Sequence, residues 1–249
     1  MNKVVLITGG SRGIGSKTAL KFATHGYKVA FTYKSDLAAA KATLGNLSGN
    51  GHAYYQLDIC SPEGISQVVN DIIAKYGKID VLVNNAGIFE EHKINEVNFE
   101  HWQSSFNSII NTNLIGPANI IYAVAQYMIS QKNGYIINVT SRGAFRGEPD
   151  FPAYGASKGG MNSLSQSLAK ILGKFNISVT AVAPGFVETD MAKSTLESPA
   201  GEIIKNESPF KRVAKPEEVA NAIYFLAQKE SIFLSGGIID INGASFLRM

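Results

Sequence analysis

The chain has 249 residues, a formal net charge of +3 and a single cysteine. That length suits one α/β domain, and a chain of this size buries roughly three quarters of the surface it exposes when unfolded. Acids and bases are interspersed, so no basic arm for nucleic acid and no acidic tail stands out, and the lone Cys60 permits no intramolecular disulfide.

The first residues, MNKVVLITGG, hold an apolar run that is too short for a signal-peptide core. No apolar stretch approaches the roughly 20 residues that span a bilayer. A cytoplasmic protein with no membrane partner is expected.

In chain order, short β-rich runs alternate with longer helical patterns. Strands are predicted over 4–8, 28–33, 53–59, 80–84, 135–140, 178–183 and 237–241. Most are near-continuously apolar, as strands covered on both faces are. Helices are predicted over 14–25, 36–48, 62–76, 97–111, 114–131, 153–175 and 216–229. Ser61-Pro62-Glu63 and Lys215-Pro216-Glu217-Glu218 read as helix starts, with proline in the first turn and acids at the positive end of the dipole. The alternation implies an α/β, Rossmann-type doubly wound fold: a parallel sheet of about seven strands with helices on both faces. The stretch 186–213 is predicted to be irregular, and a loop of that length in a compact domain is expected to act as a lid.

Thr8-Gly9-Gly10-Ser11-Arg12-Gly13-Ile14-Gly15 joins the first strand to the first helix. Glycines there let the backbone approach a pyrophosphate, and the helix start offers free N–H groups. A P-loop is excluded, because Ser16 displaces Lys17-Thr18 by one residue from the required spacing. The usual G-x-G-x-x-G is also absent; Gly9, Gly13 and Gly15 form a variant. Strand two ends Phe31-Thr32-Tyr33-Lys34-Ser35, without the acid that accepts an NAD ribose hydroxyl, and Asp36 comes late. Arg12 and Lys34 are suited to a 2′-phosphate, so NADP(H) is the expected cofactor.

Tyr154 and Lys158, at i and i+4, share one face of a helix. A free tyrosine titrates near pH 10, and a neighbouring ammonium lowers that value. Bringing the phenol to neutral pH needs about 4 kcal/mol of preference for the phenolate, more than one surface ion pair gives. A partly dry site and the charge of oxidised nicotinamide are therefore required as well. In the reducing direction Tyr154 would donate its proton to a carbonyl oxygen. Ser141, just after strand five, would hydrogen-bond the same oxygen. Gly155-Ala156-Ser157-Lys158-Gly159 also matches G-x-S-x-G, but the hydrolase reading fails. Glu148 to Pro152 cannot form the strand that leads into a nucleophile elbow, and His25, His52, His92 and His101 all precede the serine. The histidines and Cys60 fit no metal spacing.

Several of these motifs resemble the short-chain dehydrogenase/reductase family: TGxxxGxG at 8–15, Asn84-Asn85-Ala86-Gly87, Ser141, Tyr154 with Lys158, and Pro184-Gly185. The resemblance runs from Val4 to about Gly243, and 184–191 is similar to the 3-oxoacyl-acyl-carrier-protein reductase branch. It implies that Gly9, Ser11, Arg12, Gly13, Ile14 and Gly15 cradle the cofactor. It implies further that Asp58 and Ile59 meet the adenine, that Asn85, Ala86 and Gly87 line its ribose, that Lys158 holds the nicotinamide ribose, and that Tyr154 also touches the cofactor. Pro184, Gly185, Val187 and Thr189 would lie by the nicotinamide, and Asn113 would support a proton relay. The family commonly forms homotetramers.

The implied substrate is a 3-oxoacyl thioester, small or carrier-linked. A sugar, polyol or other small secondary alcohol is the alternative, and a non-catalytic NADP(H) sensor is a third reading that the intact Ser141, Tyr154 and Lys158 argue against. Phe145, Phe151, Phe186 and Phe210 are expected near an apolar pocket, and Lys132 and Lys174 are candidates for docking an acidic carrier. Three features depart from the branch: Phe175 near a docking position, a longer segment between Gly87 and Asn113, and Arg142 and Arg146 beside Ser141, which are expected to meet an anionic substrate.

Overall fold

The structure, a computed structural model, describes residues 2–248. Its strands are β1 (Val4–Ile7), β2 (Lys28–Tyr33), β3 (Ala53–Gln56), β4 (Val81–Asn84), β5 (Gly134–Val139), β6 (Ile177–Pro184) and β7 (Ile238–Ile241). They form one sheet in the order β3-β2-β1-β4-β5-β6-β7, every pair parallel. The order reverses between β1 and β4, so the connections leaving these two strands part and open a crevice at their carboxyl ends.

The helices are α1 (Gly13–Thr24), α2 (Leu37–Gly45), α3 (Pro62–Tyr76), α4 (Phe99–Ile110), α5 (Gly116–Gln131), α6 (Gly143–Arg146), α7 (Pro152–Leu172), α8 (Asp190–Glu197), α9 (Ala200–Glu207) and α10 (Pro216–Leu226). Two cores follow from the sheet's two apolar faces. Phe22 of α1 and Ile223 of α10 pack with Phe31 and Val83 on one face. Ile72 of α3 and Ile120 and Met128 of α5 pack with Leu82 and Ile136 on the other.

Three elements differ from expectation. β3 stops at Gln56 because the chain turns at Asp58, whose carboxylate accepts from Cys60 N at 3.0 Å and whose carbonyl accepts from Ser61 N at 2.9 Å. The two helices expected over 97–131 are one continuous rod, joined by a π-helical turn, Asn111–Ile115. The stretch 186–213 is not irregular, since it carries α8 and α9. Its two ends are tied together: Val187 bridges Ala214, Glu188 N donates to Ala214 O at 2.9 Å, and Ala214 N donates to Phe186 O at 3.1 Å. α8 has no buried residue, so that helix is not anchored through a core.

Lys132 ends α5 just before β5, and Lys174 lies just before β6. Both therefore lie at the edge of the sheet where strands begin, opposite the crevice. No described helix is long and apolar enough to cross a membrane.

Candidate active site

The glycine turn is built against the start of the loop after β4. Thr8 Oγ1 accepts from the backbone N–H groups of Asn85 and Ala86, both at 3.0 Å. Asn85 Nδ2 returns two bonds, to the carbonyls of Thr8 and Gly9, also at 3.0 Å. A Cβ on Gly15 would lie 2.2 Å from the Gly9 carbonyl oxygen, so only glycine closes this turn. Gly13, at φ +52°, lets Thr189 come close from the far wall. Arg12 is the N-cap of α1, no side chain caps that helix, and its first turn holds no acid. Its free N–H groups face the crevice, which fits a pyrophosphate.

At the outer end, Arg12, Lys34 and Asp58 line the same cleft. Lys34 Nζ meets Asp58 Oδ2 at 2.9 Å, and both groups are largely exposed. The hydrogen bond from Cys60 N and then that from Lys34 hold the Asp58 carboxyl below its ordinary range.

Further in, a buried polar chain fixes α7 to the sheet. Asn84 Nδ2 donates to Asn138 Oδ1, and Asn138 Nδ2 donates to Ser165 Oγ, both at 2.8 Å. This registers Tyr154 and Lys158 over the end of β5. Ser141 Oγ accepts from Gly143 N at 3.0 Å, which leaves its hydroxyl proton free to donate. Tyr154, Ser141 and Lys158 all line the cleft; the Tyr154 and Ser141 hydroxyls interact, and Lys158 Nζ lies 5.5 Å from the Tyr154 ring centroid. Burial pushes the Tyr154 phenol up to about 12, with Ser141 opposing and the Glu148 carboxylate reinforcing. Burial pulls the Lys158 ammonium down to about 8. The expected depression of the tyrosine by its lysine is therefore not found in the free protein. Lys158 Nζ donates instead to Val139 O at 2.9 Å, and desolvation dominates the phenol.

Asn113 belongs to the π turn, and its amide is fully engaged. Ile88 N donates to Oδ1 at 2.8 Å, while Nδ2 donates to Ile88 O at 2.9 Å and to Ser157 Oγ at 3.3 Å. The extra residue in that turn rotates the asparagine inward under Gly87.

The cleft, about 430 Å³, runs from the glycine turn past Asn85, Ile59 and Val187 to Ser141 and Tyr154, with Met191 of α8 on its roof. Of the four phenylalanines expected there, only Phe186 lines it. Phe145 lies under the Arg248 guanidinium, Phe151 stacks on Phe89, and Phe210 lines a separate cavity of about 190 Å³. Phe89 and Glu148 line the cleft and were not expected. Their only signal in the sequence is position: one lies two residues after the Asn-Asn-Ala-Gly motif, the other in the approach to Tyr154. Arg142 and Arg146 are not free for an anionic substrate. Arg142 Nη2 meets Glu207 Oε2 at 2.6 Å, and Arg146 meets Glu207 at 3.0 Å and Glu148 at 3.5 Å.

Residues 3–200 match the short chain dehydrogenase family. The chain belongs to that family. It is 41% identical over 243 residues to a 3-oxoacyl-acyl-carrier-protein reductase of Thermotoga maritima, covering 97% of this chain and 96% of the relative. It is 35% identical over 246 residues to an acetoacetyl-CoA reductase of Shinella zoogloeoides, covering 99% of each. Among solved structures, ElxO with NADP bound superposes with a TM-score of 0.89 at 31% identity, covering 98% of this chain and 99% of that one. This family member is thus an oxidoreductase.

Proposed function

We propose that the protein reduces a 3-oxoacyl thioester to the 3-hydroxy compound with NADPH. The observation that carries the reading is the joining of two halves in one cleft: an uncapped helix start with a glycine turn, and a half-buried, proton-bearing Tyr154 beside Ser141. End-to-end similarity to two reductases of 3-oxoacyl thioesters supports the substrate class. NADP in the structural relative, with Arg12 and Lys34 at the outer end of the cleft, supports the cofactor.

When bound, the cofactor supplies hydride to the carbonyl carbon. The chain's own residues handle the oxygen and the proton. Ser141 donates a hydrogen bond to the carbonyl oxygen and holds it in place. Tyr154 gives its proton to that oxygen as negative charge develops. A phenol pushed up to about 12 keeps its proton throughout the neutral range, as an acid in the reducing direction must. The Lys158 ammonium would stabilise the resulting phenolate and would hold the ribose of a bound cofactor. Asn113 fixes the Ile88 backbone and donates to Ser157 Oγ; in this reading it supports a proton relay, as the family resemblance implies.

Oxidation of NADPH with acetoacetyl thioesters, with and without a carrier protein and with NADH in parallel, tests the reading. Fast NADPH-dependent reduction is expected. NADPH binding with no thioester turnover would overturn the substrate class and leave the dinucleotide site standing.

A further inference from the structure

His92 lies fully buried in the segment between β4 and α4. Its Nδ1 is 2.9 Å from the carbonyl oxygen of Glu90, and its Nε2 is 3.1 Å from the backbone N of Ala153. A carbonyl only accepts and a peptide N–H only donates. The two partners therefore fix one tautomer: Nδ1 carries the proton, and Nε2 accepts from Ala153. A third bond, His92 N to Asp150 O at 3.0 Å, holds the segment against the same place.

Ala153 is the second residue of α7, where the N–H groups have no partner within the helix. Phe151, at the N-cap, offers no capping side chain. The imidazole supplies the missing acceptor from a segment 61 residues away in the chain. The next residue along the helix is Tyr154. Phe89, from the same segment as His92, stacks on Phe151 at 3.8 Å between centroids and meets the Tyr154 ring edge to face, at 4.8 Å and 80°. Asn113 pins Ile88 from below.

We propose that His92 is a positioning residue for Tyr154. It caps α7 from outside the helix and, together with Phe89, sets where the phenol stands in the cleft. The consequence for turnover rests on the reading of Tyr154 as the proton donor; the cap itself does not.

The test compares His92→Phe, which keeps a ring without an acceptor, with His92→Gln, whose amide oxygen can take the Ala153 bond. Turnover of an acetoacetyl thioester, NADPH affinity and hydrogen exchange across 151–157 are measured on samples that retain native circular dichroism. In the Phe variant kcat should fall roughly 10- to 100-fold, with KM and NADPH affinity within about twofold, and exchange at Ala153 should quicken. The Gln variant should recover most of both. If the Phe variant does not fold, His92→Asn, too short to reach Ala153, replaces it. Unchanged kcat and exchange without the acceptor, or equal losses in both variants, would overturn the proposal. If the wild-type protein reduces no thioester, the substrate reading fails, while exchange at Ala153 still decides the cap.

Discussion

Lys158 Nζ lies 5.5 Å from the centroid of the Tyr154 ring and gives its hydrogen bond to the Val139 carbonyl at 2.9 Å. Among the described residues no carboxylate pairs with this buried ammonium, and burial pulls it from 10.5 down to about 8. At neutral pH the folded protein carries that charge at a cost of roughly 3 kcal/mol, since a tenfold change in proton affinity is worth about 1.4 kcal/mol. The unfolded chain holds the proton until near 10.5, so the penalty is whole below pH 8 and fades as pH rises from 8 toward 10.5. Lys158→Met should therefore be inactive yet at least as stable as the native protein at pH 7, by up to about 3 kcal/mol. That advantage should shrink between about pH 8 and pH 10 in urea unfolding. A variant destabilised equally at every pH would refute the unpaired buried charge.

Tyr154→Phe removes one oxygen from a ring held by Phe89. Turnover should drop by about 10²- to 10⁴-fold, and NADPH affinity should stay within about twofold, because the phosphate end of the cleft is untouched. Retained turnover would remove the tyrosine from the proton step.

The Lys34–Asp58 pair makes a sharper test of cofactor choice than either residue alone. While the pair stands, the lysine offsets the carboxylate at the mouth of the cleft. Lys34→Ala leaves Asp58 facing any 2′-phosphate with no partner, so NADPH should weaken about 10-fold or more and NADH should change little. Arg12→Ala should act in the same direction. Equal losses for both nucleotides would show that neither cation reads the 2′-phosphate.

The glycine turn, the seven strands and the Tyr154–Lys158 face were legible because each has a local signal: fixed glycine spacing, apolar runs, and i, i+4 geometry. The π turn at Asn111–Ile115 was not, since it arises when a helix rotates to aim Asn113 at Ile88, a contact made across 25 residues. Nor was the partner of Arg142. A basic run beside Ser141 reads as an anion site until the fold brings Glu207 to it from 65 residues on. The same holds for Phe89, whose neighbours Phe151 and Tyr154 meet it only once α7 is docked.

Glu207, the last residue of α9, joins the 186–213 excursion to the turn that carries Ser141. Arg142 is buried, and burial pulls its guanidinium down from the ordinary range, with Arg146 adding repulsion and Glu207 opposing. Its backbone N donates to Pro184 O at 2.9 Å, and its guanidinium also donates to Ser245 Oγ, so one residue gathers α9, the end of β6 and the C-terminal segment. Glu207→Gln strips the countercharge from a buried cation and should cost roughly 3 kcal/mol. Arg142→Met in the same background removes the stranded charge and should restore most of that loss, because an ion pair and an apolar filling are often near-equal in stability. Urea unfolding of the two single variants and the double variant closes the cycle. A double variant that loses the sum of the single losses would mean that Arg142 and Glu207 act independently.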